Sequence, residues 1–386
     1  MEFKLLHITN DYSGSTVYKN LFQELDKLKI HQLIYHPIKS HISIGKNRIK
    51  FKSSKSKLLY RNILNKNLDR VFYKLKIFKI YNDLLANISI DEITMIHAHT
   101  WYSDGGVAYE VYKKFKIPYI IVVRNTDLNL FFKYMFHIRN YGIKILLNAS
   151  KIIFISPIYK ERLLNKIYNN KIINDLNKKS FIIPNGIDNF WIKNSILKKN
   201  NLQDEIFQLL YIGKFTKLKN VKRLMDVVLN LKKNNYKINL KLIGGGGFEH
   251  KKIVKIANKH PDTFKFLGFI NDKEDLKYHY RSSHLFTMPS KNETFGLVYV
   301  EALSQGLPII YTMNEGIYGF YENIGEAVKY DSKENITKGI LKIYNNYETY
   351  NYDIKQIINN HMWSKIALNY ANIYEKTIDK LYKNSE

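Results

Sequence analysis

Short apolar, β-branched runs alternate with helical patterns along most of this chain. The runs at 118–123 and 151–156 are typical of strands buried on both faces of a parallel sheet. Apolar residues at helical spacing follow several of them, as at 16–29 and 221–233. Regular alternation of strand and helix predicts an α/β fold with right-handed crossovers and helices on both faces of each sheet.

The alternation fades into polar residues at 191–205 and restarts at 207, so we predict a linker there. A chain of 386 residues is long enough for two domains of ordinary size. We therefore predict an N-terminal domain over 1–190, a second doubly wound domain over 207–362, and a final helix within 363–386.

The composition excludes several chemistries. The chain has no cysteine, which excludes disulfides, thiolate zinc sites and cysteine nucleophiles and fits a cytoplasmic protein. The apolar run near Met1 is too short for a signal peptide, and no run is long enough to predict a membrane-spanning helix.

Positive charge is concentrated between residues 46 and 79. Twelve Lys or Arg face one acid, Asp69, in this segment of a chain whose net charge is +27. Leucine, valine and phenylalanine interleave with the cations at apparent helical spacing. Three interpretations stay open, namely attachment to an anionic membrane surface, nucleic-acid binding, and a solvated helix face with a loop.

Glycines cluster where the predicted strands end. In doubly wound sheets, ligands bind beyond the carboxyl ends of the strands, and glycine lets the backbone approach them. This placement favours a phosphate-bearing ligand. The positions are Gly14, Gly105, Gly106, Gly186, Gly213, Gly244 to Gly247, and Gly296.

Five segments carry a resemblance to a known family. They read IPNGID at 183–188, YIGKFTKLKN at 211–220, LIGGGG at 242–247, FLG at 266–268 and PSKNETFGLVYVE at 289–301. In this order they resemble motifs of the retaining GT-B glycosyltransferases of glycosyltransferase family four, the glycosyl transferases group 1. The resemblance implies two Rossmann-like domains facing each other across a cleft. The N-terminal domain would bind the acceptor and the C-terminal domain a nucleotide sugar, with the last helix returning to the N-terminal domain.

The resemblance also implies roles for two acids and two lysines. Glu293 would bind hydroxyls of the donor sugar, and Glu301 would accept from the ribose hydroxyls. Lys214 and Lys219 would bind the diphosphate, although the family commonly has Arg at the position of Lys214. The plainer alternative is that Glu293 is an acid at a helix start and Glu301 a solvated helix residue.

The remaining donor-binding residues follow from the same motifs. The helix start at 295–297 would offer backbone N–H groups to the anion, and the apolar wall of the base pocket is expected near 266–269. The residues are Gly14, Gly213, Gly244, Gly245, Phe269, Thr294, Phe295, Gly296 and Leu297.

The N-terminal half departs from the family pattern. Arg124 stands where members often have a histidine, and a guanidinium cannot act as a general base. Asp127 is then the candidate base or acceptor-orienting group, with a helix N-cap as the alternative. His97 and His99 share one strand face, and we expect His97 to be packed and His99 to face the cleft.

We therefore expect a retaining enzyme that moves a sugar from a UDP- or GDP-sugar to a glycan or lipid-linked acceptor. The resemblance implies capsule, lipopolysaccharide or exopolysaccharide synthesis in the cytoplasm, with no metal and no cofactor. Residues 46–79 would provide peripheral attachment to the membrane. The alternatives are a nucleotide-sugar epimerase, a phosphorylase relative, a catalytically silent member of the family, and a nucleic-acid-binding protein, which charge alone supports.

Overall fold

The computed structural model describes residues 4–65, 69, 72–196 and 205–383. The chain divides into two compact units, and each is built on a parallel sheet with helices. The first comprises Met1–Ile155, Tyr159–Asn185 and Trp363–Glu386, and the second Ser156–Ile158 and Gly186–Met362.

The first unit contains a sheet of seven strands in the order β3-β2-β1-β4-β5-β6-β7. The strands are β1 Lys4–Ile8, β2 His31–Ile38, β3 Lys57–Asn62, β4 Met95–Ala98, β5 Tyr119–Val123, β6 Lys151–Phe154 and β7 Ser180–Ile182. The helices up to residue 178 are α1 Thr16–Lys27, α2 Tyr73–Asn87, α3 Ser103–Phe115, α4 Arg139–Asn148, α5 Pro157–Leu164 and α6 Asn170–Lys178.

Burial follows position in this sheet. Every residue of β5 is buried, as the apolar run at 118–123 predicts for a strand covered on both faces. At the edge, β3 is half exposed and pairs in parallel with β2. The helical spacing expected across 46–79 is therefore wrong for Lys57–Asn62, because these residues satisfy the backbone groups of β2 as an edge strand.

The second unit contains a sheet of six strands in the order β10-β9-β8-β11-β12-β13. The strands are β8 Phe207–Lys214, β9 Ile238–Gly245, β10 Phe264–Phe266, β11 Leu285–Thr287, β12 Ile309–Thr312 and β13 Gly325–Val328. The helices are α7 Asn189–Lys193, α8 Val221–Lys233, α9 His250–Lys259, α10 Lys273–Arg281, α11 Leu297–Ser304, α12 Lys333–Asn345 and α13 Ile354–Asn360.

The predicted linker begins too early. Trp191 lies in α7 and is buried in the core of the second unit, where its indole packs edge-on against the ring of Tyr280 at 5.2 Å. A single large ring among polar residues gives no periodic signal, yet burying it contributes substantially to a core. Residues 197–204 of the predicted linker lie outside the described part of the chain.

The last helix, α14, spans Trp363–Lys383 and belongs to the first unit. It packs beside α1, and the Tyr374 hydroxyl lies 2.8 Å from His97 Nδ1 in the core. Among the described residues, no helix has both the length and the hydrophobicity needed to cross a membrane.

Candidate active site

The candidate site lies in the second unit, at the carboxyl ends of the neighbouring strands β8, β11 and β12. Hydrogen bonds join the loops that follow them. The Lys291 amide donates to Leu218 O at 2.7 Å, the Asn220 side chain donates to Pro289 O at 3.2 Å, and the Thr312 hydroxyl donates to Ser290 O at 2.7 Å. This edge of a doubly wound sheet is where such folds bind ligands.

An asparagine in the left-handed conformation occurs in each of these three loops. Asn220, Asn292 and Asn314 have φ of 59°, 58° and 61°. Residues other than glycine rarely have positive φ, although asparagine tolerates it better than most. Such backbone is costly and is often found near ligand-binding sites, so the three positions indicate that loop geometry matters here. From the sequence, none of the three was assigned a role.

Lys219 and Glu293 meet in these loops. Lys219 Nζ lies 2.5 Å from Glu293 Oε2, and the side chains are 30% and 10% exposed. The Thr294 amide donates to the other carboxylate oxygen at 3.1 Å. The two residues named from separate motifs thus form one ion pair. An ammonium and a carboxylate side by side are the groups needed to bind a phosphate and a sugar hydroxyl.

Gly296 caps the start of α11 with φ +76°. A Cβ atom there would lie 2.4 Å from the Tyr299 ring and 3.3 Å from Glu293 Cγ. From the sequence, the glycines at strand ends, Gly296 among them, are explained by the close approach of a ligand to the backbone. The structure supplies a nearer reason, because the turn itself requires glycine.

The other predicted residues of this turn differ in exposure. Phe295 is buried, with its ring 5.4 Å from that of Phe320, so it belongs to the core and offers a ligand only its backbone. Thr294 is exposed, and Leu297, the first residue of α11, is partly buried.

Gly316 contributes to the site, although it was assigned no role from the sequence. Its φ is +51°, and a Cβ atom there would lie 2.8 Å from Phe295 O and 3.4 Å from Glu293 Cγ. The loop after β12 therefore packs directly against Glu293. The available signal was the Asn314-Glu-Gly sequence immediately after a buried strand.

Glu301 is partly buried on α11, and its carboxylate accepts from the Tyr280 hydroxyl at 3.2 Å and from the indole of Trp191. Burial raises the pKa of Glu301 to about 7, against the opposing effect of the Tyr280 hydrogen bond. The carboxyl group therefore changes charge near neutral pH. The expectation of a solvated helix residue does not fit this environment.

The ends of β8 and β9 carry the predicted glycines. Gly213 pairs with Gly244 and Lys214 with Gly245. Gly244 has φ +124°, and a Cβ there would lie 2.1 Å from Gly213 O, so the close strand pair itself requires this glycine. Lys214 is exposed where β8 ends.

Two predicted donor-binding positions lie at open surface. Phe269, which follows β10, is 75% exposed. Gly14 ends the short 3₁₀ turn Tyr12–Gly14 of the first unit, and a Cβ there would meet no described atom within 4 Å. The fold therefore does not by itself require glycine at position 14.

Asp127 lies in the first unit and is buried. Its carboxylate accepts from the backbone amides of Trp101 and Tyr102, both at 3.0 Å, and from that of Arg124 at 2.9 Å. Burial raises the pKa of Asp127 to about 6, although these amides lower it. The geometry favours the structural alternative, a carboxylate that holds two strand-to-helix turns together, over a general base.

The expectation that His99 faces a cleft is wrong. His99 is fully buried, its Nε2 lies 3.0 Å from His7 Nδ1, and its ring stacks on that of His97 at 3.9 Å. Burial holds the pKa of His99 well below its usual range. Arg124 covers the strand end, where its Nε donates to His99 O at 2.8 Å and its guanidinium lies 4.9 Å from the Tyr18 ring centroid.

His7, His97 and His99 have ring nitrogens within 4.8 Å of one another, a spacing that admits a metal ion. The contacts already present favour a packed cluster. One ring nitrogen of His7 bonds to His99, and one of His97 bonds to the Tyr374 hydroxyl.

The fold and the site together define a class: an α/β protein of two Rossmann-like units with the fold of GT-B glycosyltransferases. Sucrose-phosphate synthase from Thermosynechococcus elongatus has a TM-score of 0.70 at 18% identity, over 98% of this chain and 100% of that one. Anabaena HepE in complex with UDP-glucose has a TM-score of 0.63 at 14% identity, over 97% and 99% of the two chains.

The sequence comparisons are more specific than the fold. Residues 192–360, most of the second unit, match the family model of the glycosyl transferases group 1. An uncharacterized glycosyltransferase of Methanocaldococcus jannaschii is 25% identical over 334 residues, covering 83% of this chain and 87% of the relative. Both findings show similarity to glycosyltransferases, and the second unit is similar to the glycosyl transferases group 1.

Proposed function

We propose that this protein is a glycosyltransferase that moves a sugar from a nucleotide-sugar donor to an acceptor, with retention of the anomeric configuration and without a metal. The observation that carries the proposal is the Lys219–Glu293 ion pair at the carboxyl ends of β8 and β11. The similarity to a protein solved with UDP-glucose supports the choice of donor class.

The site residues divide the work of donor binding. The diphosphate leaves with growing negative charge, which Lys219, the exposed Lys214 and the amides at the start of α11 would stabilise. When the donor phosphate pairs with Lys219, the Glu293 carboxylate would be able to accept hydrogen bonds from sugar hydroxyls. Glu301 would accept from the ribose.

A donor screen tests this proposal. We expect UDP- or GDP-sugars to raise the melting temperature of the intact protein, and the best donor to release its nucleoside diphosphate faster when an acceptor is present. Retention is read from the product by NMR, and EDTA should leave the rate unchanged. Release of the diphosphate with an altered free sugar and no acceptor would instead identify an epimerase.

We also propose that the protein attaches to an anionic membrane surface, and that its acceptor is lipid-linked, as in surface-polysaccharide synthesis. The reason for attachment is that helix α2 has two apolar faces. Tyr73, Ile77, Ile80 and Leu84 form the buried inner face. The outer side is solvent-exposed at Leu75 (65%) and Phe78 (62%), and Phe72 (51%), immediately before the helix, is exposed at the same spacing. Apolar side chains that alternate with lysines on an exposed helix suit an anionic membrane surface.

Not all twelve cations of residues 46–79 are available to lipid. The Arg61 guanidinium lies 2.7 Å from the Asp83 carboxylate, and Lys76 Nζ donates to the Ser103 hydroxyl at 2.7 Å. Lys66 and Arg70 lie outside the described residues. Attachment would therefore depend on the outer side of α2, which these internal contacts leave exposed.

Vesicle co-sedimentation tests the attachment. We expect binding to anionic vesicles that falls with salt, and a loss of binding in the double variant Leu75→Ser/Phe78→Ser. Leu368→Ser, which removes a similarly exposed apolar side chain from α14, is the control. Equal binding to neutral and anionic vesicles, or none at about 0.15 M salt, would contradict the proposal.

A further inference from the structure

A cavity of about 640 Å³ opens on the first unit beside α2, α3 and α4. Its walls are mainly rings and aliphatic carbon, from Tyr73, Ile77, Phe78, Tyr81 and Tyr141. The volume lies within the range of small-molecule sites, roughly 300 to 1,000 Å³. Neither the donor site nor the residues discussed for catalysis contribute to it.

Two of the tyrosine hydroxyls are engaged with the protein. The Tyr73 hydroxyl donates to Tyr102 O at 2.8 Å, and the Tyr141 hydroxyl donates to the Glu110 carboxylate at 2.7 Å. With these polar ends bound, the two residues offer the cavity mainly their ring surfaces. Such walls favour an apolar occupant.

The lining of the cavity has more positive than negative charges. Glu110 is the acid in the lining, and it forms an ion pair with Lys113 at 2.6 Å. Lys74 and Lys114 also line the cavity and are exposed. Neither forms an ion pair among the described residues, so the excess charge of the lining is positive.

We propose that this cavity binds one acyl chain of an anionic membrane phospholipid, whose headgroup phosphate pairs with Lys74 and Lys114. Charge complementarity and continuity point to this occupant. Phe78 lines the cavity and also belongs to the exposed outer side of α2. A lipid chain entering from a bilayer would therefore pass from that side directly into the apolar interior.

The inference rests on the proposed membrane attachment and makes it more specific. A surface contact alone would hold the protein by many weak, interchangeable interactions. A chain bound in the cavity would add a saturable site with one lipid per protein, and the site would select for a negative headgroup.

Calorimetry with a short-chain lipid below its micelle concentration tests the cavity with no vesicle and no donor present. We expect the intact protein to bind dioctanoyl phosphatidylglycerol saturably and one to one. Dioctanoyl phosphatidylcholine should bind roughly tenfold more weakly, and glycerol 3-phosphate, which has no chain, should not bind measurably. A nucleotide or RNA that binds instead would overturn the choice of occupant.

A matched pair of variants locates the binding. Lys74→Glu and Lys79→Glu change the same charge at exposed positions on α2, but only Lys74 lines the cavity. We expect Lys74→Glu to weaken binding of the short-chain lipid by roughly tenfold and Lys79→Glu by no more than about twofold. Equal effects would overturn the proposal.

Photo-cross-linking gives a readout that does not depend on a variant. Phosphatidylglycerol with a diazirine near the end of its chain should label the α2 and α3 peptides that line the cavity. Labels confined to other peptides, or no saturable labelling, would contradict the inference. A negative result in these lipid experiments would say nothing about nucleotide-sugar transfer, which the donor screen tests. The lipid site and the proposed enzyme activity can therefore be refuted separately.

Discussion

Each unit holds one acid that the sequence marked as a catalytic candidate, and the two acids are bound in different ways. Asp127 of the first unit accepts from three backbone amides, which cannot move without unfolding two turns. Glu293 of the second unit accepts from the Thr294 amide and also pairs with the ammonium of Lys219, which a flexible side chain carries. A carboxylate held by a side chain can exchange that partner for a ligand, whereas one held by backbone serves the fold.

The same contrast extends to the neighbouring cations. Arg124 is committed within the first unit to His99 O and to the face of Tyr18. Lys214 of the second unit ends its strand exposed to solvent. The first unit thus uses Arg124 to cover a strand end, and the second unit presents Lys214 at the surface.

The largest effect should come from Glu293→Gln. We expect transfer to fall by about 10²- to 10³-fold, the loss typical of removing one polar group that stabilises a transition state. The amide is neutral, so it would no longer pair with Lys219 or bind sugar hydroxyls as strongly. Steady-state release of the nucleoside diphosphate measures the change.

Glu322→Gln is the control for this variant because Glu322 is an exposed acid of the same unit. It should keep the parent rate. If Glu293→Gln keeps its fold by circular dichroism and transfer is unchanged, Glu293 is not part of the site, and its contrast with Asp127 does not hold.

The second prediction concerns stability. Asp127→Asn should lower the free energy of unfolding by about 2 kcal/mol, because an amide has one oxygen where three buried amides need acceptors. The folded variant should keep its kcat. Chemical denaturation measures the first quantity and a rate per folded molecule the second. A fall in kcat well beyond the folded fraction would give Asp127 a direct part in the chemistry.

How far the sequence could predict these sites depended on the range of the contacts. The buried run of β5 and the motifs that contain Lys219 and Glu293 are local signals, and the fold class followed from such runs and motifs. The burial of His99 could not be seen, because His7 lies far away in the chain and the aromatic face of α14, also distant, packs on the neighbouring His97. The left-handed turn at Asn220, which joins the loop around Pro289, gave no signal for the same reason.

A smaller effect is expected from pH through Glu301. Its folded pKa of about 7 lies above the ordinary value, so its carboxyl is partly neutral at pH 7. If the carboxylate accepts from the ribose, donor affinity should rise with pH from 5.5 to 8, by up to about tenfold per unit below the pKa. Calorimetric titration with the best donor measures this rise.

Glu301→Gln should flatten that profile, since the amide does not titrate. The sign for stability is opposite to the sign for binding. Because the folded pKa is raised, the stabilising effect of the neutral carboxyl is complete below the unfolded pKa and is lost as pH rises through about 7. Donor affinity that falls with rising pH would exclude the carboxylate as the acceptor.

The smallest effect compares the cations at the two strand ends, Lys214 and Arg124. Lys214→Arg should tighten donor binding by about two- to threefold, because a guanidinium can bind a phosphate through two parallel hydrogen bonds.

The mirror variant, Arg124→Lys, should leave donor affinity unchanged and lower the melting temperature. A lysine cannot both donate to His99 O and lie flat over Tyr18, as Arg124 does. Donor titrations and thermal melts of both variants measure these effects. Weaker donor binding in Arg124→Lys would show that Arg124 of the first unit also binds the donor. Both units would then supply a donor-binding cation, and the contrast between them would be smaller.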